Sequence, residues 1–108
     1  MKTFNDLEFG PHPRLPGLCA KAFFPNGYGI SILRLKFSDI PGLKNFTLPE
    51  YASYTDNDNE WEVAVLQKIN DNWEACYDTP ITDDVIGNCT EEDVTRIMKQ
   101  IQELQSKA

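Results

Sequence analysis

The sequence predicts an α+β fold: an antiparallel sheet of about four strands, built from two hairpins, packed on one C-terminal α-helix. Three observations carry that prediction. Two apolar runs, 18–24 and 28–37, flank Pro25-Asn26-Gly27, and Asn-Gly is the strongest short hairpin signal. Two alternating segments, 60–67 and 72–77, flank the polar link Lys68-Ile69-Asn70-Asp71-Asn72. After Thr90 the apolar spacing changes from that of a strand to that of a helix.

The 108 residues suffice for a single domain with one modest core. The first seventeen residues form its lead-in. Phe9 to Gly17 holds three prolines and two glycines, which rules out a helix or an inner strand and predicts an extended or pinned arm.

In the first hairpin, a type I′ turn at Asn26-Gly27 sets Phe24 opposite Gly29 and Phe23 opposite Ile30. Leu18, Ala20, Ala22, Phe24, Leu33 and Leu35 then form the core face. Phe23, Ile30 and Ile32 share the other face with Lys21 and Arg34. Residues 38–59 read as a long loop or insertion, a length that in a compact domain often carries function. In the second hairpin, pairing Val65 with Ala75 aligns Trp61, Val63 and Val65 with Trp73, Ala75 and Tyr77. It sends Glu62 and Glu74 to the outward face. Residues 78–87 read as a proline-containing connection with one helical turn.

Thr90-Glu91-Glu92-Asp93 has the form of a capping box, with three acids where the helix dipole favours them. The helix extends from about Glu91 to Gln105, with Val94, Ile97, Met98, Ile101 and Leu104 as its apolar stripe. At roughly 1.5–3 kcal/mol for each buried side chain, that stripe supplies a major share of the gross stabilisation.

No residue set announces catalysis. Asp56-Asn57-Asp58-Asn59-Glu60 begins like a calcium loop, but Trp61 and Gln67 stand where an EF-hand needs glycine and glutamate. Asp78, Asp83 and Asp84 suit a metal-dependent hydrolase, yet no nucleophile, phosphate cradle or histidine lies near them. Thr82 before two aspartates equally reads as a helix start. Cys19, Cys76 and Cys89 form no Cys-x-x-Cys pair, and His12 is the sole histidine, so a zinc site lacks its ligands. Three unpaired thiols fit a reducing compartment. His12 between two prolines is a restricted but solitary side chain. Trp61, Trp73 and Tyr77 on one face suggest a stacking platform for bases, but Lys21, Arg34, Lys36 and Lys44 are too few for a nucleic-acid footprint. The sequence calls for no cofactor and no metal, and it has no apolar run long enough to span a membrane. Met1 to Asp6 carries no apolar leader and reads as a cytosolic start.

Charge is the strongest functional signal. From Glu50 to Asp93 there are thirteen acidic side chains and one basic one, Lys68, whereas residues 1–48 hold six basic and three acidic. Such a field keeps a small protein from aggregating. It also suits docking on a basic protein surface, where complementarity speeds encounter and selects the partner. The candidate partner-binding acids are Asp56, Asp58, Glu60, Glu62, Glu74, Asp83 and Asp84.

Phe23-Phe24-Pro25-Asn26-Gly27-Tyr28-Gly29-Ile30-Ser31, Trp61 to Leu66, Cys76 to Gly87 and Thr90 to Val94 together resemble a family of small acidic proteins encoded by bacteriophages. The likeness covers most of the chain except residues 36–59. It implies an infected bacterial cytoplasm and carries no functional residues with it. Charge and this resemblance point to a non-enzymatic accessory protein that occludes a basic surface of a host protein, such as a defence nuclease or another nucleic-acid enzyme. It is not expected to bind nucleic acid directly. The alternative is a structural or assembly module acting as a homo-oligomer through an exposed strand edge or the half-apolar hairpin face.

Overall fold

The computed structural model describes residues 1–36 and 50–106. The expected α+β architecture is present: an antiparallel sheet with one C-terminal helix against one face. Among the described residues the sheet has six strands rather than about four. They are β1 (Gly10–Pro11), β2 (Gly17–Phe23), β3 (Tyr28–Leu35), β4 (Trp61–Ile69), β5 (Asn72–Ala75) and β6 (Ile86–Cys89), followed by α1 (Glu91–Gln102). Strands β1 to β5 lie side by side in chain order, and β6 shares with β5 the far edge of β4. Cys76 N–H continues that ladder to Val65 O at 2.8 Å before the chain leaves the sheet. Residues 78–85 contain no helical turn and make an excursion between β5 and β6.

The two extra strands have simple causes. Pro11 cannot donate to an inner ladder, so β1 sits at the sheet edge, pairing Gly10 with Cys19 and Pro11 with Leu18. The arm is pinned in other ways too. Gln102 Nε2 donates to Lys2 O at 2.8 Å, Phe4 N–H donates to Thr95 Oγ1 at 3.1 Å, and the Phe9 ring lies 4.4 Å from that of Trp61. At the other edge, β6 fills the half of β4 that β5 leaves unpaired.

Both hairpin registers differ by one residue from the expected ones. Phe23 faces Gly29 and Ala22 faces Ile30. A type I′ turn needs positive φ at both central residues, but only Gly27 has it, at 85°. The connection is a three-residue loop in which Gly27 N–H donates to Phe24 O and Phe24 N–H to Tyr28 O. Asn26 is otherwise engaged: its Nδ2 donates to Ile101 O at 2.8 Å and Leu104 O at 3.1 Å, closing the C-terminal end of α1. The two-residue turn occurs instead in the second hairpin, where Asn70 and Asp71 have φ of 50° and 71° and Ile69 pairs with Asn72. Leu66, not Val65, therefore faces Ala75.

A one-residue slip exchanges the faces of a strand. The core face thus carries Ile30 and Ile32 with Ala20, Ala22 and Phe24, while Leu33 belongs to the opposite face. Val63 and Val65 complete the core from β4, and Val94, Ile97, Met98 and Ile101 close it from α1. Trp61 lies in this core, whereas Trp73 is on the face away from the helix, so the expected shared aromatic face does not exist. That second face presents Lys21, Phe23, Leu33, Trp73 and Ala75, and none of the described helical residues covers it.

Helix α1 begins where expected. Thr90 Oγ1 accepts from Asp93 N–H at 3.2 Å, and Asp93 Oδ2 accepts from Thr90 N–H at 3.0 Å. It ends at Gln102, three residues before the expected Gln105. The Thr90 backbone N–H is the main reason that the Asp93 carboxyl is held below its ordinary range. This contribution to stability is present above the unfolded carboxylate value of about 3.9. It is lost as pH falls through the lower folded value. Asp93→Asn is therefore expected to lower the melting temperature at neutral pH, with the gap to the unaltered protein narrowing on acidification. A gap that stays constant down the acid limb would contradict this linkage.

Candidate functional site

The acids that the fold brings together lie at the N-terminal end of β4. Tyr51 and Ala52 pair with Lys36 and Leu35 at the end of β3, and Tyr54, Asp56 and Glu60 are tied to β6. Asn88 N–H donates to Tyr54 O at 2.8 Å. The Asn88 backbone is left-handed, with φ of 54°, and its Nδ2 donates to both Asp56 Oδ2 at 3.0 Å and Glu60 Oε1 at 2.9 Å. One amide thus holds two carboxylates together. Its hydrogen bond is the largest cause of the lowered Glu60 pKa, followed by the Asp56 backbone N–H.

Asp58 belongs to a different arrangement. Lys36 Nζ lies 2.7 Å from Asp58 Oδ1, and the Tyr51 hydroxyl donates to the same oxygen. These two contacts, Lys36 first, hold the Asp58 carboxyl below its ordinary range, and the same bond raises the Tyr51 phenol. Arg34 Nη1 donates to the Asp58 backbone oxygen, while the guanidinium stacks 4.1 Å from the Trp61 ring centre. Arg34, Asp58, Asn59, Trp61, Glu91 and Glu92 border a cleft of about 450 Å³. The first turn of the helix therefore adds two acids to the same end of the molecule. The lining combines the Arg34 cation with three carboxylates, Asp58, Glu91 and Glu92.

The remaining candidate acids are dispersed. Glu62 projects on the face away from the helix and accepts from Tyr54 N–H at 3.2 Å. Glu74 pairs with Gln67 near the other end of β4, on the opposite face from Glu62, which corrects the expectation that the two share an outward face. Asp83 and Asp84 are exposed in the excursion between β5 and β6. There Thr82 Oγ1 accepts from Asp84 N–H, making a turn rather than a helix start. Residues 38–49 of the expected long loop, including Lys44, lie outside the described residues, as does Phe37 at the end of the expected apolar run.

The other constellations are accounted for by local structure. Within 56–60 the side-chain oxygens are engaged by neighbouring groups: Asn88 for Asp56 and Glu60, Lys36 for Asp58, and Asn59 N–H for Asn57. Asp78 accepts from Cys76 Sγ at 2.9 Å. Among the described residues no three His, Cys, Asp or Glu side chains are grouped to hold a metal ion. His12 Nδ1 accepts from Arg14 and Leu15 N–H, a turn-closing role. Among the described residues none of the three cysteines forms a disulfide. Burial, with Asp93 nearby, pushes the Cys89 thiol up to about 11, the opposite of what a reactive thiolate needs. No helix among the described residues is long and apolar enough to cross a membrane.

Sequence reasoning missed Asn88, Glu91 and Glu92 as members of the site. In sequence the two glutamates are explained by the helix dipole alone, and a lone asparagine after Gly87 gives no sign of bridging carboxylates 28 and 32 residues away.

No protein-family model, curated protein or solved structure matches this chain.

Proposed function

We propose that the protein is a non-enzymatic binding protein whose acidic end docks on a basic surface of another protein. The observation that carries this reading is the convergence of acids from separate segments: Asp58, Glu91 and Glu92 line one cleft, and Asn88 holds Asp56 and Glu60 together in the same stretch of chain that supplies Asp58. Complementary fields of this kind raise the association rate and reject wrongly charged partners. Proteins that handle nucleic acid present the required basic surfaces, and a group of carboxylates competes there with phosphates. A bacterial host protein of that class, occluded by this group, is the target favoured by the resemblance to phage-encoded proteins. Glu74, remote from the cleft, is no longer part of the proposed contact.

The test uses two sets of isosteric replacements with equal loss of charge. One set is Asp56→Asn, Glu60→Gln, Glu91→Gln and Glu92→Gln. The control is Asp71→Asn, Glu74→Gln, Asp78→Asn and Glu103→Gln. Tagged protein is used to capture partners from bacterial lysate at low and at moderate salt. The first set is expected to weaken capture of a salt-sensitive partner by about tenfold or more, and the control set to leave it near the unaltered level. Equal capture by both sets would remove the acidic end as the contact.

A further inference from the structure

The sheet face that no described helical residue covers carries a second surface, built from residues that the acidic end does not use. The Phe23 and Trp73 rings lie 4.5 Å apart, tilted by 41°. They meet above Gly29, where an added Cβ would stand 3.2 Å from Phe23 Cδ1 and 3.4 Å from Trp73 Cζ3. Covering a strand glycine in this way stabilises the sheet, yet Phe23 remains 45% exposed. Two lysines bracket the pair. Lys21 precedes Phe23 by two residues, hence on the same face, and Lys68 pairs directly across from Trp73. Both are exposed, and neither forms an ion pair among the described residues. Lys68 is also the one base among the thirteen acids between Glu50 and Asp93.

The complement of this patch lies at the other end of the same molecule. Tyr54 is 67% exposed. Its backbone is fixed by Glu62 and Asn88, and Asp56 follows two residues later. Tyr54 is anchored beside position 62 of β4, and the aromatic pair beside position 68. Six residues of strand separate them by about 20 Å, so a molecule's own Tyr54 cannot reach its own aromatic pair.

We propose that a second copy of the chain occupies this face, with Tyr54 of one molecule seated against Phe23 and Trp73 of the next. Asp56 then faces Lys21 and Lys68. Charge complementarity selects this head-to-tail arrangement over a two-fold pairing of open faces, which would bring the lysines of both copies together around the aromatic pairs. The contact is heterologous, so it extends a chain or closes a ring. At physiological ionic strength the Debye length is about 8 Å, so the local lysine–aspartate attraction acts at contact while most of the net −7 charge is screened. The proposal does not rest on docking to an outside partner, and the two contacts compete for Asp56.

The experiment is sedimentation velocity on purified protein, from low micromolar to millimolar concentration. The unaltered chain is expected to grow beyond a dimer. Tyr54→Ala keeps the accepting face, and Lys21→Glu with Lys68→Glu keeps the donating loop. Each variant alone is expected to remain monomeric, and an equimolar mixture to stop at a one-to-one dimer, because only one junction is left. A monomer at every concentration overturns the proposal. So does a dimer that both variants preserve, or a mixture that fails to associate. If Tyr54→Ala does not fold, Asp56→Lys in the full chain replaces it, and if the lysine pair does not fold, Phe23→Ser replaces that. Each replacement is expected to be monomeric alone and to give the one-to-one dimer in the mixture, and association of either alone is the opposing result. Because no lysate is involved, failure here leaves the acidic-end reading standing, and the reverse is also true.

Discussion

Gly17→Ala is expected to destabilise the protein by about 3 kcal/mol or more. Gly17 opens β2 with φ of 148°, a conformation that L side chains rarely adopt. An alanine Cβ there would stand 2.2 Å from Arg34 O and 2.9 Å from the Leu35 Cα. Both obstacles are backbone atoms of the neighbouring strand, so relief requires β2 and β3 to separate where they pair Gly17 with Leu35. Gly10→Ala is the matched control, since nothing lies within 4 Å of its would-be Cβ. Urea unfolding of the two variants decides the matter. Near-equal midpoints would show that the arm does not enter the sheet at Gly17 as described.

Ile32→Ala is expected to cost about 2–5 kcal/mol, lowering the melting temperature by more than about 10 °C for a chain of this size. Ile32 is fully buried between Ala20 and Val63. Its truncation leaves a cavity that only its packed neighbours could fill. Leu33→Ala, one residue later on the partly open face, should cost far less. The contrast tests the register itself. A type I′ turn at Asn26-Gly27 would put Leu33 in the core and Ile32 outside it, and the order of the two effects would be reversed.

That reversal shows where the sequence stops being informative. Strand existence was legible because apolar alternation follows local geometry. Which strand residues face the helix was not. Phe23 and Phe24 are both apolar, so β2 can end in either phase, and the turn must decide. The turn was decided by Asn26, whose amide is drawn to the carbonyls of Ile101 and Leu104 at the end of α1. No local rule contains a partner seventy-five residues away. The second hairpin differs in the opposite sense: Asn70-Asp71 accepted the left-handed turn expected of Asn26-Gly27, and Trp73 lies on the face away from the helix.

The candidate site divides in the same manner. Charge counting found the acidic stretch, since charge is written in composition. It could not tell that Asp56 and Glu60 share one asparagine while Asp58 sits against Lys36, nor that Glu74 is remote from them.

By itself, the sequence determined the α+β class, the helix and its capping box, the buried stripe of Val94, Ile97, Met98 and Ile101, and the sign of the surface. These depend on periodicities and side-chain chemistry within a few residues. Only the tertiary structure decided the register of both hairpins, the entry of β1 and β6 into the sheet, and the grouping of acids around Asn88. Those depend on long-range hydrogen bonds and on which edges remain unpaired, quantities that exist only once distant segments have met.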